Sequence, residues 1–458
     1  MERPRKIVLI GAGSTTFTQR LVADLVLSPD PSQWELALVD IDPEVLESIA
    51  LVTEKMLAAR GVRIPVTATT ERRVVLPGAD FVVTTIAVGG RRGWERDVTV
   101  PRQFGVFQPV GDTVMPGGIS RALRMIPPMI DIARDVQELC PNATFMNYSN
   151  PMTAVCQAVR RETGVPLIGL CHGVHVAEGY LARFLGVEEG SVSTFGVGLN
   201  HLTFLTHIFY KGQDATPRFH EVLAEQRGTL QHELETKLEF VNWVSGRAPR
   251  YSDDPFVWDF FETHGVLPLM LDRHASEFFP ERFPQGRYYG KTLGVDAYPI
   301  DARIAWGDEV YAEFTRIAHD PGPLPEGFFE QVPGEHEQLL EMMTSLLSDR
   351  RETFSVNLPN EGAVPNLPSQ AVLELPAAAT ARGFCALHAG PLPQHLADIL
   401  LKKIDAIDAT VEAALTGDRA TFIEALLLDG AVQDRETASA LATALINAHR
   451  PYLPQFAA

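Results

Sequence analysis

Short apolar runs alternate with stretches of helical spacing through the first 190 residues. Ile7-Val8-Leu9-Ile10 reads as a strand, Phe17 to Leu27 as a helix and Leu36-Ala37-Leu38-Val39 as a second strand. A helix from about Pro43 to Ala59 follows, then the strand Phe81 to Ile86, helical spacing over Arg121 to Leu139, and two more short apolar runs, Ala143 to Tyr148 and Pro166 to Leu170. Strands buried on both faces read as continuous apolar runs, so this alternation predicts an α/β fold with a Rossmann-like, doubly wound parallel sheet. The pattern changes near residue 190. Strand-like residues from Val192 to Tyr210 give way to polar helical segments and aromatics. A Pro-rich stretch from Asn357 to Pro376 reads as an edge strand with loops, and Pro393 to His449 as helix broken at Gly417-Asp418. Two domains are expected: residues 1–191, Rossmann-like, and residues 192–458, a mixed α/β substrate-binding and oligomerisation domain.

Composition narrows the partners. The chain has 458 residues, with 39 Lys and Arg against 58 Asp and Glu, a net charge of −19. Nucleic acid and anionic membranes would repel such a chain, so neither is an expected partner. Apolar residues at 45% and charged residues at 21% are ordinary for a globular protein. No run approaches ~18 apolar residues, so no membrane span is expected, and Met1 to Lys6 lacks a signal-peptide core. The four cysteines, Cys140, Cys156, Cys171 and Cys385, form no paired framework, which suits a reducing, cytoplasmic setting.

Gly11-Ala12-Gly13-Ser14 follows the first strand and opens a helix. Glycines there let the backbone turn tightly and approach a pyrophosphate seated on the helix N-terminus. Thr16 stands where a third glycine is usual. Asp40 ends the second strand, where a carboxylate can accept from ribose hydroxyls and would repel a 2′-phosphate, so NAD is expected over NADP. The plainer reading is a tight strand-to-helix turn with Asp40 as a cap.

Over nearly its whole length the chain resembles glycoside hydrolase family 4, the NAD- and divalent-metal-dependent glycosidases. The resemblance rests on Ile10 to Ser14, Leu38 to Asp42, Gly111-Asp112-Thr113 with Gly117-Gly118-Ile119, and Asn147 to Met152. It continues through Cys171-His172-Gly173, Gly198 to His201, Val356 to Asn360 and Asn366 to Pro368. It implies a lactate/malate dehydrogenase-like scaffold, a homodimer or homotetramer, and NAD and Mn²⁺ (or another divalent transition metal) as cofactors. It implies Cys171 and His201 as metal ligands, a donor pair that leaves positions open for sugar hydroxyls. Asn150, with Asn147 beside it, resembles the family's substrate-orienting asparagine. The alternative for Cys171 and His201 is a buried thiol and a satisfied core histidine.

The implied chemistry departs from the two-carboxylate route of most glycosidases. The C2 proton of a sugar is too weak an acid for a side-chain base until the C3 hydroxyl is oxidised to a ketone. NAD accepts that hydride, the metal stabilises the enediolate, the C1 leaving group is expelled, water adds, and the hydride returns. In some members the residue after the ligand cysteine is the general acid, which is His172 here; a second reading makes it an orienting histidine. The base is a tyrosine or aspartate of the second domain, and the run Pro268 to His274 makes Asp272 the candidate, with a helix cap as the alternative.

Cys171-His172-Gly173 resembles the Cys-His-Gly form associated with α-glucuronides and α-galacturonides. A uronate needs a cation, ideally a bidentate arginine; the candidates are Arg273, Arg287 and Lys291. The expected activity is NAD- and Mn-dependent hydrolysis of an α-hexuronide. Alternatives are an α-galactosidase or α-glucosidase of the same family, a 2-hydroxy-acid dehydrogenase on the same scaffold, and an NAD-sensing sugar-binding protein without catalysis.

Overall fold

The computed structural model describes residues 3–229, 250–269, 271–331 and 338–456. Six strands build its first half: β1 (Arg5–Ile10), β2 (Trp34–Val39), β3 (Val66–Thr69), β4 (Phe81–Thr84), β5 (Thr144–Asn147) and β6 (Ile168–Gly169). They pair in parallel in the order β3-β2-β1-β4-β5-β6. This is the dinucleotide-binding strand order, whose ligand crevice lies outside the carboxyl ends of β1 and β4, where the winding reverses. β1 and β2 follow the expected runs because Ile7 to Ile10 and Leu36 to Val39 are all buried. The helix between β2 and β3, Pro43–Arg60, has Asp42 accepting from Glu44 N and Val45 N at its start and left-handed Gly61 at its end.

The second half adds β7 (Val192–Leu199), β8 (Leu202–Tyr210), β9 (Gln213–Asp214), β10 (Leu267–Leu269), the ribbon β11 (Arg287–Tyr288) and β12 (Lys291–Thr292), β13 (Thr353–Pro359), β14 (Val372–Thr380) and β15 (Gly383–Ala386). The parallel sheet does not stop at β6. β13 joins it antiparallel through the pair Asn357–Gly169, and β14, β7, β8 and β10 continue outward, giving a 13-stranded sheet across the described residues. The stretch expected as an edge strand is therefore interior, held on one side by β6 and on the other by β14. Its prolines permit this because Pro359 is the last residue of β13, and Pro376 lies beyond the single Glu374–Gly198 bridge to β7.

Three helices, Gln394–Thr416, Arg419–Asp429 and Arg435–Ala448, close the chain, with a second break at Gly430 besides the one at Gly417. The first of them packs on the helix Met115–Leu139, and the buried pair Lys403–Asp429 (3.0 Å) extends to that helix through Met115 N, 3.1 Å from Asp429 Oδ2. Among the described residues no helix is long and apolar enough to cross a membrane.

Candidate active site

At the crevice end of β1 the chain turns through Gly11, whose φ is +93° and whose missing Cβ would lie 2.8 Å from Ile86 N. Thr85 Oγ1 donates to Gly11 O (2.8 Å) and locks the turn to the end of β4. Gly13 makes a different contact, its N–H donating to Asp40 Oδ2 at 2.7 Å, and a Cβ would sit at the same distance from that oxygen. Asp40 Oδ1 accepts from Asp42 N (3.1 Å). Asp40 thus stands at the end of β2 with one bond on each oxygen, each keeping a lone pair for a further donor. Ser14 is the N-cap of the helix Thr15–Leu27 and makes no side-chain cap bond. The arrangement is a glycine turn, a helix N-terminus and a positioned carboxylate, which suits the two ends of an adenosine diphosphate.

About the carboxyl ends of β5 and β6 a second group assembles from both halves of the sheet. The loop Gly111–Thr113 is pressed against the start of the helix Met115–Leu139, where a Cβ on Gly118 would collide with the backbone of Thr113. Glu277 Oε1 accepts from Val110 N and Gly111 N, both at 2.8 Å, and fixes the loop from beneath. Opposite, β7 and β8 are joined by the two-residue turn Asn200–His201, with His201 at φ +69°. Glu374 Oε2 accepts from Thr203 Oγ1 (2.9 Å) and Asn200 Nδ2 (3.4 Å) and steadies that turn. Burial raises the pKa of Glu277 to about 8 and of Glu374 to about 7.

Asp112, His201 and His274 offer ligand atoms that all lie within 4.8 Å of one another. His274, on the helix Leu271–Phe278, places its ring centroid 4.2 Å from that of His201. Thr113 Oγ1 lies 2.6 Å from both Asp112 Oδ1 and His201 Nδ1. Its proton goes to the carboxylate, so its lone pair accepts Nδ1–H of His201 and leaves Nε2 as the unprotonated nitrogen. Burial, then the His172 and Arg273 charges against the opposing pull of Asp112, lowers the His201 pKa to about 4; that of His274 is also held low by burial. Both rings are neutral at pH 7 and free to donate a lone pair. Asn150 Oδ1 and His274 Nδ1 are buried without a hydrogen-bond partner among the described residues. One carboxylate, two neutral imidazoles, one of them with an unpartnered Nδ1, and the orphaned Asn150 Oδ1 fit a divalent transition metal with a polar ligand beside it.

Two family models cover most of the chain: family 4 glycosyl hydrolase over residues 6–187 and the family 4 glycosyl hydrolase C-terminal domain over 196–432. The chain belongs to family 4 of the glycosyl hydrolases. An alpha-galacturonidase of Bacillus subtilis is 32% identical over 449 residues, covering 95% of each chain. An alpha-galactosidase of the same species is 28% identical over 99% of this chain and 100% of its own. The crystal structure of lplD from Bacillus subtilis superimposes with a TM-score of 0.82 at 28% identity, over 97% and 100% of the two chains. A 6-phospho-alpha-glucosidase from gut microorganisms, solved with NAD and Mn²⁺, gives 0.81 at 21% identity, over 99% and 100%.

Against this family 4 frame the residues singled out from sequence divide. Gly11, Gly13, Ser14 and Asp40 gather at the crevice. His201 and Asn150 lie in the second group, Asn150 Nδ2 donating to Asp112 Oδ2 at 3.2 Å. His172, the N-cap of the helix Gly173–Phe184, is near enough for its charge to lower the pKa of His201 and His274, and Arg273 acts on both in the same sense. Cys171, half-buried after β6, is not one of the three residues that cluster most tightly.

Three expectations change. Asn147 is fully buried, its Oδ1 accepting from Thr84 Oγ1 (3.0 Å) and Ser149 N (2.9 Å) while Nδ2 donates to Ser149 O (2.9 Å); it shapes the loop that presents Asn150 and does not face a substrate. Asp272 is likewise fully buried. Its carboxylate accepts from Phe256 N (2.8 Å), Val257 N (2.7 Å) and Tyr288 Oη (2.5 Å), so it anchors the start of the helix Pro255–His264 in place of acting as a base. Burial pushes its pKa up to about 7. Arg287 is exposed and lines a separate ~310 Å³ cavity with Phe256, Asp259 and Tyr289. Asp112 and Thr113 lie in a run that carries the family resemblance, and His274 in the run that nominated Asp272, yet all three gain a role only from the structure; the signal that marks the first two is the set of glycines bracketing them.

Proposed function

We propose that the protein hydrolyses α-linked glycosides of a hexuronic acid, an α-galacturonide or α-glucuronide, with NAD and a divalent metal, manganese being the candidate. The observation that carries the reading is the Asp112–Thr113–His201–His274 group at the sheet end next to the glycine turn. Metal-fitting donors and the glycine turn stand at the carboxyl ends of strands of one sheet. Support for the sugar class comes from the Cys171-His172-Gly173 run and the 32% identity to an alpha-galacturonidase.

Asp112, His201 and His274 would hold the cation, with the Cys171 thiolate on the adjoining strand end as a further donor. When bound, NAD and the metal supply hydride acceptance at C3 and polarisation of the C3 oxygen. The residues do the rest. Thr113 keeps the His201 ring in the tautomer that presents Nε2. Asn150, tied to Asp112, turns its unpartnered Oδ1 toward a sugar hydroxyl. His172 gives a proton to the departing glycosidic oxygen.

The test is release of p-nitrophenol from aryl α- and β-glycosides with NAD⁺, Mn²⁺ and a thiol reductant present. The panel holds glucuronide, galacturonide, galactoside, glucoside and 6-phosphoglucoside. Hydrolysis of an α-uronide that stops when NAD⁺ or Mn²⁺ is withheld is the expected result. Cleavage of only a neutral α-glycoside would keep the mechanism and overturn the sugar class. Net accumulation of NADH with a 2-hydroxy acid would favour the dehydrogenase reading.

A further inference from the structure

A cation that the sequence did not single out stands beside this group. Arg121, on the helix Met115–Leu139, donates from Nε to the backbone O of Asn150 at 3.1 Å. That is its one hydrogen bond among the described residues, and no carboxylate among them lies within ion-pair distance of it. Arg121 is half-buried; desolvation lowers its pKa, with the neighbouring Arg124 acting in the same sense and Asp112 and Asp97 opposing. Neither neighbouring anion is free to pair with it. Asp97 is buried in a two-bond pair with Arg124 (Nη1–Oδ1 2.8 Å), and His449 Nε2 lies 3.0 Å from the same oxygen. Asp112 has one oxygen on Thr113 and the other on Asn150 Nδ2. A half-buried arginine that makes one hydrogen bond and has no carboxylate partner keeps guanidinium N–H groups with which to receive an anion from outside.

Asn150 bridges Arg121 and the metal-fitting group, its backbone O accepting from Arg121 Nε and its Nδ2 donating to Asp112 Oδ2. A pyranose held at O2 and O3 by that group turns its opposite edge, the C5–C6 side, away from it. We propose that Arg121 is the specificity-determining residue that receives the C6 carboxylate of the substrate through the free edge of its guanidinium. The planar fork of an arginine matches a carboxylate in a way a hydroxymethyl group cannot reproduce. This inference rests on the hexuronide reading above.

The experiment compares wild type with Arg121→Lys and Arg121→Met by calorimetry, titrating galacturonate, glucuronate, galactose, glucose and NAD⁺ separately in the presence of Mn²⁺. Wild type is expected to prefer each uronate over the matching neutral sugar. Arg121→Met should weaken uronate binding by on the order of 100-fold and Arg121→Lys by on the order of 10-fold, as expected for loss of a charge-assisted bidentate contact. Affinities for NAD⁺ and the neutral sugars, and the melting temperature, should stay within about twofold and a few degrees of wild type, which shows the fold is retained. With an α-uronide as substrate the loss should fall on KM more than on kcat. A wild type that hydrolyses α-uronides while both variants keep its uronate preference would overturn the role of Arg121 and leave the sugar class standing. Loss of NAD⁺ affinity with uronate binding intact would reassign Arg121 to the cofactor. A wild type with no uronate preference would overturn both readings.

Discussion

Thr113 is where the geometry can be tested most sharply, because one hydroxyl sits 2.6 Å from both Asp112 Oδ1 and His201 Nδ1. Thr113→Val keeps the branched shape and removes the hydroxyl. His201, 5% exposed, would then carry an Nδ1–H with no acceptor, and Asp112 Oδ1 would lose its donor while Oδ2 keeps Asn150. A buried donor left unpaired costs about 1–3 kcal/mol. The imidazole can escape part of that cost by moving its proton to Nε2, which blocks the nitrogen that would bind the metal. Either way, loss of a partner that orients a metal-binding histidine weakens affinity by roughly 10–100-fold. Thr113→Ser, which retains the hydroxyl, should stay near wild type. The assay is Mn²⁺ titration of the protein without substrate, followed by the paramagnetic resonance of free ion, so that the result does not pass through turnover. Equal Mn²⁺ affinity in Thr113→Val and Thr113→Ser would refute both the relay and the assignment of His201 Nε2.

Gly11→Ala forces a side chain onto φ +93° and a Cβ to 2.8 Å from Ile86 N, which is backbone and cannot swing aside; a strain of about 1–3 kcal/mol, relieved only by displacing the turn, should appear as about 5- to 150-fold weaker NAD⁺ binding by calorimetry. Cys171→Ser should lower Mn²⁺ affinity and abolish glycosidase activity, and wild type treated with peroxide should lose activity that thiol restores; undiminished activity in either case counts against the thiolate as a donor. Glu374, whose pKa burial raises to about 7, binds a proton in the folded state that the unfolded chain has released above its ordinary value of 4.5. Stability should therefore fall as pH rises from about 4.5 to about 7, and Glu374→Gln, which keeps an acceptor for Thr203 and Asn200, should flatten that slope in urea titrations.

Five of the six strands of the first half are legible in the sequence because their apolar runs are buried, whereas edge strand β3, Val66–Thr69, is mostly exposed and prints no such run. The helix Met115–Leu139 shows its spacing only from Arg121, since Pro116-Gly117-Gly118 look like breakers. Its first turn uses those glycines for contact: a Cβ on Gly117 would lie 2.8 Å from Asp97 O, and one on Gly118 would strike the Thr113 backbone. Asp272 is misleading in sequence for a related reason. Its partners are the N–H groups of Phe256 and Val257, sixteen and fifteen residues earlier, brought near only by the turn through β10. His274, two positions further, shares its short run of sequence and plays an unrelated part. The carboxylate at 272 is buried among backbone donors while the ring at 274 packs against His201. Local spacing cannot separate two neighbours whose surroundings are set by different distant segments.

The same logic explains why the site spans both halves of the chain. Asp112 and Thr113 come from a loop after β4, whereas His201 and His274 come from the hairpin β7–β8 and from the helix that follows β10. Contacts of 2.6 Å between Thr113 and His201 require those halves to be registered to within a fraction of an ångström. A flexible linker could not provide that; a shared sheet can. The join is made where β13 meets β6 at Asn357–Gly169 and where β14 meets β7 at Glu374–Gly198. The first junction needs glycine, since a Cβ on Gly169 would lie 2.8 Å from Asn357 Cβ, and Gly198 is needed by the β7–β8 hairpin, where a Cβ would run into Leu202 O. Glu374 then ties the second junction directly to the site, pairing with Gly198 through its backbone and holding Asn200 and Thr203 through its side chain. The residue that joins β14 to the β7–β8 hairpin is thus also the one that fixes the turn presenting His201.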